Sequence, residues 1–167
     1  MMDGDEVTHP RGAPARVRVS LTEDQPVNAD IRNSLQAFLA KLSVPQKVEL
    51  AAKGNREVRS LLARDPSGMV ARAVLNSPRV SEADIMAYAA SPLTNDEILR
   101  GIADSKTWAR NPRVIVLVVS NPRTPPPVAL RFLGRLPVNE LRILSLNRNI
   151  SIVVRNEAKR RAMLARR

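Results

Sequence analysis

The sequence predicts an all-α protein, built as an α-solenoid of short stacked helix pairs. Apolar residues recur at helical spacing in short segments, and each segment ends at a polar residue followed by proline. Two of these segments, 69–80 and 113–124, align with each other at an offset of 44 residues. Because a short amphipathic helix pair cannot bury its apolar face alone, repeated pairs of this kind are expected to stack on one another.

Length and composition fit one globular domain with a tail. The chain has 167 residues, of which 44% are hydrophobic, so a sizeable core is possible. Residues 1–28 mix charge, proline and glycine without a period, which predicts a disordered N-terminal tail. A single α-helical repeat domain with a basic C-terminal half is therefore expected over residues 29–167.

The first three helices of that domain follow from apolar spacing and capping residues. The apolar residues of the first helix share one face, namely Ile31, Leu35, Phe38, Leu39 and Leu42. Ser43 is expected to cap a second helix, which stops at Gly54. Asn55 then opens a third helix, which ends before Pro66.

A second internal alignment places residues 112–121 over 147–156, at an offset of 35, with Asn121 over Asn156. The apolar run VIVLVV (114–119) lies in this segment, and its β-branched residues would also suit a buried strand. A helix is favoured because the aligned segments carry their apolar residues among Ala and Arg, in helical contexts.

Three segments end one helix and start the next with the same order of residues, namely 76–91, 91–104 and 121–134. In each of them proline stops the preceding helix and a cap position follows. The cap positions are the pair Val80-Ser81, the pair Thr94-Asn95, and Thr124. Thr94 is also placed to form a capping box with Glu97.

The stretch NPRTPPP (121–127) is interpreted as a helix boundary of this kind. Thr124 is expected to accept a hydrogen bond from an early backbone N–H, and proline fits the first turn because no donor is needed there. A polyproline ligand for an SH3-like partner is the alternative interpretation. Turn chemistry favours the boundary, since the prolines lie between two apolar helices.

The alternation of a polar residue, proline and an aliphatic helix, as in NPRTPPPVALRFLG (121–134), resembles the leucine-rich repeat variant. It resembles HEAT and armadillo repeats more loosely, and the match covers roughly residues 45–160. This resemblance implies a curved, right-handed, all-α superhelix. It also implies binding rather than catalysis, and it carries over no catalytic residues.

Composition excludes several kinds of active site and of location. The absence of cysteine rules out disulfides, thiolate zinc sites and cysteine nucleophiles. The only histidine, His9, lies in a polar segment, so we expect neither an enzyme nor a metal or small-molecule cofactor. The apolar runs are shorter than the roughly 18 residues of a membrane span, and the N-terminus lacks a signal-peptide core. We therefore expect a soluble cytoplasmic protein.

Positive charge is concentrated in the C-terminal part of the chain. The net charge is +11, to which residues 1–97 contribute −1 and residues 98–167 contribute +12. Arginines recur about once per predicted helix there, and they could line one edge of a solenoid. We predict that an anionic partner binds these residues together with the only tryptophan: Arg110, Arg113, Arg123, Arg131, Arg135, Arg142, Arg148, Arg155 and Trp108.

Two further segments have both a structural and a functional interpretation. Gly54 and Asn55 could form an anion-binding nest, but a glycine C-cap followed by an asparagine N-cap is the favoured interpretation. Trp108, flanked by cations, could stack a base or anchor a partner, whereas filling a gap between repeats is the favoured role. A HEAT-like DNA glycosylase would need a carboxylate with a raised pKa in a pocket near Trp108.

The functional prediction is a non-enzymatic scaffold or adaptor that binds an acidic protein surface. Sequence-independent binding to the nucleic-acid phosphate backbone is the alternative, because charge alone does not separate the two partners. The small apolar face of the last helix disfavours a membrane surface. The adaptor hypothesis requires exposed apolar side chains beside the charge, and the nucleic-acid hypothesis requires arginines that converge on one concave face.

Overall fold

The computed structural model describes residues 20–165, which form ten α-helices and one 3-10 helix and contain no β-strand. The predicted all-α class is therefore confirmed. The α-helices are α1 (Ala29–Ala40), α2 (Val44–Lys53), α3 (Arg56–Leu62), α4 (Gly68–Leu75), α5 (Glu82–Ala90), α6 (Asp96–Asp104), α7 (Pro112–Ser120), α8 (Pro126–Leu133), α9 (Val138–Leu146) and α10 (Ile152–Leu164). The 3-10 helix, Trp108–Arg110, lies between α6 and α7.

The chain folds as two compact units, Met1–Val80 and Ser81–Arg167. Helices α1 to α4 belong to the first unit, and the 3-10 helix and α5 to α10 belong to the second. Of the predicted tail, residues 1–19 lie outside the described part of the chain. Within the described part, the carbonyl oxygen of Leu21 accepts a hydrogen bond from the Asn55 amide at 2.7 Å, which ties this segment to the start of α3. The single domain over 29–167 stays a prediction.

In the first unit, α2 packs against α3 and α4, and α3 also contacts α1 and α4. Leu35 and Leu39 on α1 are buried, and Ile31, Phe38 and Leu42 are half-buried. The predicted apolar face of α1 is therefore confirmed.

Three predicted helix starts are confirmed. Gln46 accepts a hydrogen bond from the Ser43 amide at 2.9 Å, in a capping box at the start of α2. The Asn55 side chain accepts one from the Val58 amide at 2.9 Å, and Ser81 Oγ accepts one from the Asp84 amide at 3.2 Å. Each side chain satisfies a backbone donor that the helix itself cannot pair.

The predicted cap at the pair Thr94-Asn95 is confirmed at Asn95, whose Oδ1 accepts a hydrogen bond from the Glu97 amide at 2.8 Å. The capping box of Thr94 with Glu97 and the cap at Thr124 are wrong. Thr124 does not cap α8: its hydroxyl donates to the carbonyl oxygen of Val118 at 2.5 Å. That contact closes the end of α7 instead of opening α8, so NPRTPPP is a helix boundary as predicted but by a different hydrogen bond.

In the second unit, α5 packs against α6 and α7, α7 also packs against α8, and α10 packs against both α8 and α9. The run VIVLVV lies within α7, so the helix interpretation is confirmed over the strand. Its buried residues lie on one helical face: Val114, Ile115, Val118 and Val119.

Asn121 joins two helices at the end of α7. Its side-chain amide donates to the carbonyl oxygens of Ala89 at 2.6 Å and Ser91 at 2.9 Å, both at the end of α5. Its Oδ1 accepts from the Arg123 amide at 2.9 Å. One buried side chain therefore closes the turn after α7 and fixes it to α5.

The internal alignments differ in how well the structure agrees with them. At the offset of 44, Ser77 corresponds to Asn121, and its hydroxyl contacts the carbonyl oxygen of Ala52 near the end of α2 at 3.4 Å. The offset of 35 is wrong, because Asn156 lies inside α10 and does not follow a helix. Helices α9 and α10 instead begin 26 residues after α7 and α8, which makes Asn147 the counterpart of Asn121.

Candidate functional site

The eight arginines predicted to bind an anionic partner all lie in the second unit. Seven of them are exposed, and Arg155 is half-buried. They are spread over the following elements: Arg110 in the 3-10 helix, Arg113 in α7, Arg123 in the turn after α7, Arg131 in α8, Arg135 after α8, Arg142 in α9, Arg148 in the turn after α9, and Arg155 in α10.

Few carboxylates balance this charge. Between residues 105 and 165 the chain has twelve Lys and Arg but only two acidic residues, Glu140 and Glu157. Within residues 20–165, nine cations of this segment have no carboxylate oxygen within ion-pair distance: Lys106, Arg110, Arg113, Arg123, Arg135, Arg142, Arg148, Arg155 and Lys159. Their charge is therefore available to a partner.

The structure brings Arg131 and Arg135 together on the ring of Phe132. The two guanidinium carbons lie 5.1 Å and 5.5 Å from the ring centroid, within the range of a cation–π contact. Phe132 itself is buried, and Arg131 also pairs with Asp104 at 2.8 Å. These contacts hold both guanidinium groups at the C-terminal end of α8.

A second pair of arginines is held by Glu157 on α10. The Arg160 guanidinium donates from Nε and Nη2 to both carboxylate oxygens, each at 2.7 Å. Arg161 Nε donates to Oε1 at 2.6 Å. Hydrogen bonds from Arg160 and then from Arg161 lower the pKa of Glu157 to about 2, so its carboxylate stays ionised at neutral pH.

Arg161 of the second pair reaches the end of α8. A methyl group added at Gly134, directly after α8, would meet Arg161 Nη1 at 2.8 Å. The Arg161 side chain therefore reaches from α10 to the end of α8, where Arg135 follows. Of the predicted site residues, Arg131 and Arg135 share the ring of Phe132. Arg160 and Arg161, which were not among the predicted site residues, share Glu157.

A groove of about 540 Å³ runs between α8 and α10, and we call it the α8–α10 groove. It is lined by Leu130, Val153, Asn156, Glu157, Arg160 and Arg161. Val153 is 53% exposed, and Leu130 is half-buried. The groove therefore combines aliphatic surface with two guanidinium groups.

Aliphatic side chains are also exposed on α9 and α10. Ile143 is 62% exposed and Leu146 is 80% exposed, and together with Arg142 they share one face of α9. On α10 the exposed large apolar residues are Ile152, Val153, Met163 and Leu164. We call these six aliphatic residues, with Arg142, Arg148, Arg155 and Lys159, the basic–aliphatic surface.

Part of this surface escaped the sequence reasoning. The apolar residues of the last helix figure in the sequence prediction, but Ile143 and Leu146, which lie beside Leu141 and Leu144 in the sequence, do not. Only Leu141 and Leu144 are buried, because α9 packs against α10 with that face. Both pairs of residues are three positions apart, so spacing alone does not say which pair is buried.

Gly54-Asn55 and Trp108 were the two further segments with a possible binding role. The first has a structural role, and the binding role of the second stays a prediction. Gly54 ends α2 and Asn55 caps α3, as the favoured interpretation predicts. The chain itself fills the start of α3, since Asp24 accepts a hydrogen bond from the Arg56 amide at 2.9 Å, so an anion-binding nest there is wrong. Trp108 is half-buried in the 3-10 helix, and its binding of a partner stays a prediction.

No protein-family model, curated protein or solved structure matches this chain. Among the described helices, none has the length and apolar character needed to cross a membrane. Over residues 20–165, no group of three or more His, Asp or Glu side chains could hold a metal ion.

Proposed function

We propose that this chain is a non-enzymatic scaffold or adaptor whose second unit binds an acidic protein partner through the basic–aliphatic surface. We also propose that its domain, residues 29–167, is an α-solenoid related to the leucine-rich repeat variant and HEAT-like proteins. Such repeats present an extended face to a partner, and a strong charge on that face orients the partner before contact.

The repeat part of the proposal is supported by corresponding turns. Asn121 follows α7 and accepts a hydrogen bond from the amide two residues later, and Asn147 does the same after α9, at 2.9 Å in both turns. Helix α9 begins 26 residues after α7, and α10 begins 26 residues after α8. In addition, α5 packs on α7 and α8 packs on α10, as expected when equivalent helices of successive pairs stack.

The observation that carries the function is the mixture of unpaired cations and exposed aliphatic side chains on α9 and α10. Leu146, at 80% exposure, lies one helical turn from Arg142, whose guanidinium has no described carboxylate partner. A partner that covers both needs carboxylates and apolar side chains on the same surface. Protein interfaces combine these groups, with an apolar centre and a polar rim.

Nucleic-acid backbone binding is the second candidate, and the nine cations without a carboxylate partner favour it. Cations alone are enough to neutralise phosphates and release their counterions. A phosphate backbone, however, would leave Ile143 and Leu146 uncovered. Large exposed aliphatic side chains one helical turn apart, as these two are, favour a protein partner.

Fluorescence anisotropy with matched probes tests the proposal. The main probe is an amphipathic peptide of about 18 residues with Leu on one helical face and Glu on the other. One control peptide replaces Glu with Gln and the other replaces Leu with Ser, so that each removes a single property. A random-sequence DNA duplex is the fourth probe, and all four are titrated at about 50 mM and about 200 mM salt.

We expect the Glu/Leu peptide to bind more tightly than either control peptide, and to keep measurable binding at the higher salt. Salt screens the charges but leaves apolar burial intact. If the Leu-to-Ser peptide bound equally well, the aliphatic residues would have no role. Tighter binding of the duplex, with a steep loss on salt addition, would instead support the nucleic-acid function.

A further inference from the structure

We propose that the α8–α10 groove is the anchoring site for the acidic partner, and that it receives one aliphatic side chain and one carboxylate from a single partner segment. This inference rests on the proposed function, because it names the place and the chemistry of the contact.

The aliphatic part of the groove is formed by Leu130 on α8 and Val153 on α10. Val153 keeps 53% of its surface exposed although it lies beside another aliphatic residue. An aliphatic side chain placed over this pair would remove apolar area from water, which stabilises a complex.

The anionic part of the groove is formed by Arg160 and Arg161. Glu157 engages two N–H groups of Arg160 and one of Arg161, whereas each guanidinium carries five donors. Donors on both guanidinium groups are therefore left for a second carboxylate. Glu157 acts as a positioning residue here, because it fixes both side chains before a partner arrives and so reduces the entropy lost on binding.

The distance along α10 sets the spacing that a partner must match. Val153 and Arg160 are seven residues apart on one helix, which corresponds to about 10 Å along its axis. A helical partner would match this with an aliphatic residue and a carboxylate at positions i and i+7. An extended partner places two side chains on the same face only at even spacings, about 6.7 Å or about 13 Å apart, so a helical partner matches this distance better.

A protein segment fits this groove better than a phosphate backbone does. A phosphodiester offers the charge for Arg160 and Arg161 but no aliphatic group for Leu130 and Val153.

Paired substitutions test the inference with the Glu/Leu peptide described above and the full chain. Arg160→Gln with Arg161→Gln removes two charges from the groove. Arg64→Gln with Arg72→Gln is the matched control, because it removes two exposed arginines from the first unit and changes the net charge equally. Far-UV circular dichroism and thermal unfolding check that both variants fold.

We expect the groove variant to weaken peptide binding about tenfold or more, and the control variant less than about threefold, because long-range charge has only a small effect at about 200 mM salt. Equal effects of the two variants would overturn the groove assignment. If the unmodified chain bound no peptide at all, the proposed function would fail with it. If Ile143→Ser with Leu146→Ser weakened binding while the groove variant did not, the proposed function would stand and the groove would be wrong.

Backbone amide NMR of the unmodified chain gives a second readout that does not depend on a variant folding. Titration with the Glu/Leu peptide should shift the amide signals of Leu130 and of Val153 to Arg161. Shifts confined to other residues of the second unit would overturn the assignment.

Discussion

Gly54 shows how one residue sets the distance between two helices. Its backbone is extended, with φ −61° and ψ 157°, so other residues could adopt the conformation. The constraint is space: a methyl group at this position would meet the carbonyl oxygen of Leu50 at 2.6 Å and Val58 Cγ1 at 2.7 Å. Since Leu50 belongs to α2 and Val58 to α3, the glycine allows the two helices to pack at this distance.

We expect Gly54→Ala to lower the free energy of unfolding by about 1–3 kcal/mol, because neither the carbonyl nor the buried valine can move freely. Urea unfolding followed by circular dichroism measures the change. Gly134→Ala is the matched control, since its methyl group would meet only the flexible end of Arg161 and should cost less than about 0.5 kcal/mol. Equal costs for both variants would contradict the packing explanation.

At the scale of the elements, the turns after the helices carry much of the order in the fold. Asn121 is buried and makes three hydrogen bonds, two of them to α5. Asn147, its counterpart after α9, is only half-buried and has one, to the Asn149 amide at 2.9 Å. Replacing the asparagine in these two corresponding turns therefore removes different numbers of hydrogen bonds.

We expect Asn121→Ala to destabilise the protein by about 2 kcal/mol, because two carbonyl oxygens at the end of α5 would lose a buried donor. Asn147→Ala should cost less than about 1 kcal/mol, because its turn loses a single hydrogen bond near solvent. Thermal and urea unfolding of both variants measure the difference. A smaller loss for Asn121→Ala than for Asn147→Ala would show that Asn121 does not fix α7 to α5.

Sequence reasoning succeeds for these elements where the hydrogen bond is local. The caps at Ser43, Asn55 and Ser81 are predictable, because each lies next to the amides or side chains that it pairs with in its own first turn. Thr124 is missed because its partner, Val118, lies six residues back in the preceding helix. The long bonds of Asn121 to α5 are invisible for the same reason: they depend on which helices pack together.

The candidate site was also only partly predictable from the sequence. The charge of the second unit can be counted in the sequence, and the exposure of its arginines follows from the cost of burying them. The pairing of Arg160 and Arg161 with Glu157 follows helical spacing of three and four residues and is predictable in principle. The exposure of Ile143 and Leu146 is not, because it depends on which face of α9 packs against α10.

At the scale of the whole molecule, charge is divided unequally between the two units. Residues 1–80 carry twelve Lys and Arg against nine acidic residues, whereas residues 81–167 carry fifteen against seven. The second unit therefore has a net charge of +8 and the first +3. An acidic partner would be attracted to the second unit over distances comparable to the Debye length, about 8 Å at physiological salt.

The central claim is that cations and aliphatic side chains of the second unit bind one acidic protein partner together. The most direct test is the affinity of the Ile143→Ser, Leu146→Ser variant for the Glu/Leu peptide and for the DNA duplex at about 200 mM salt. Both residues are largely exposed, so the variant should fold like the unmodified chain. We expect its peptide affinity to fall about tenfold, with duplex binding unchanged, because only a protein partner buries these side chains. Unchanged peptide affinity would contradict the claim and leave charge alone as the basis of binding.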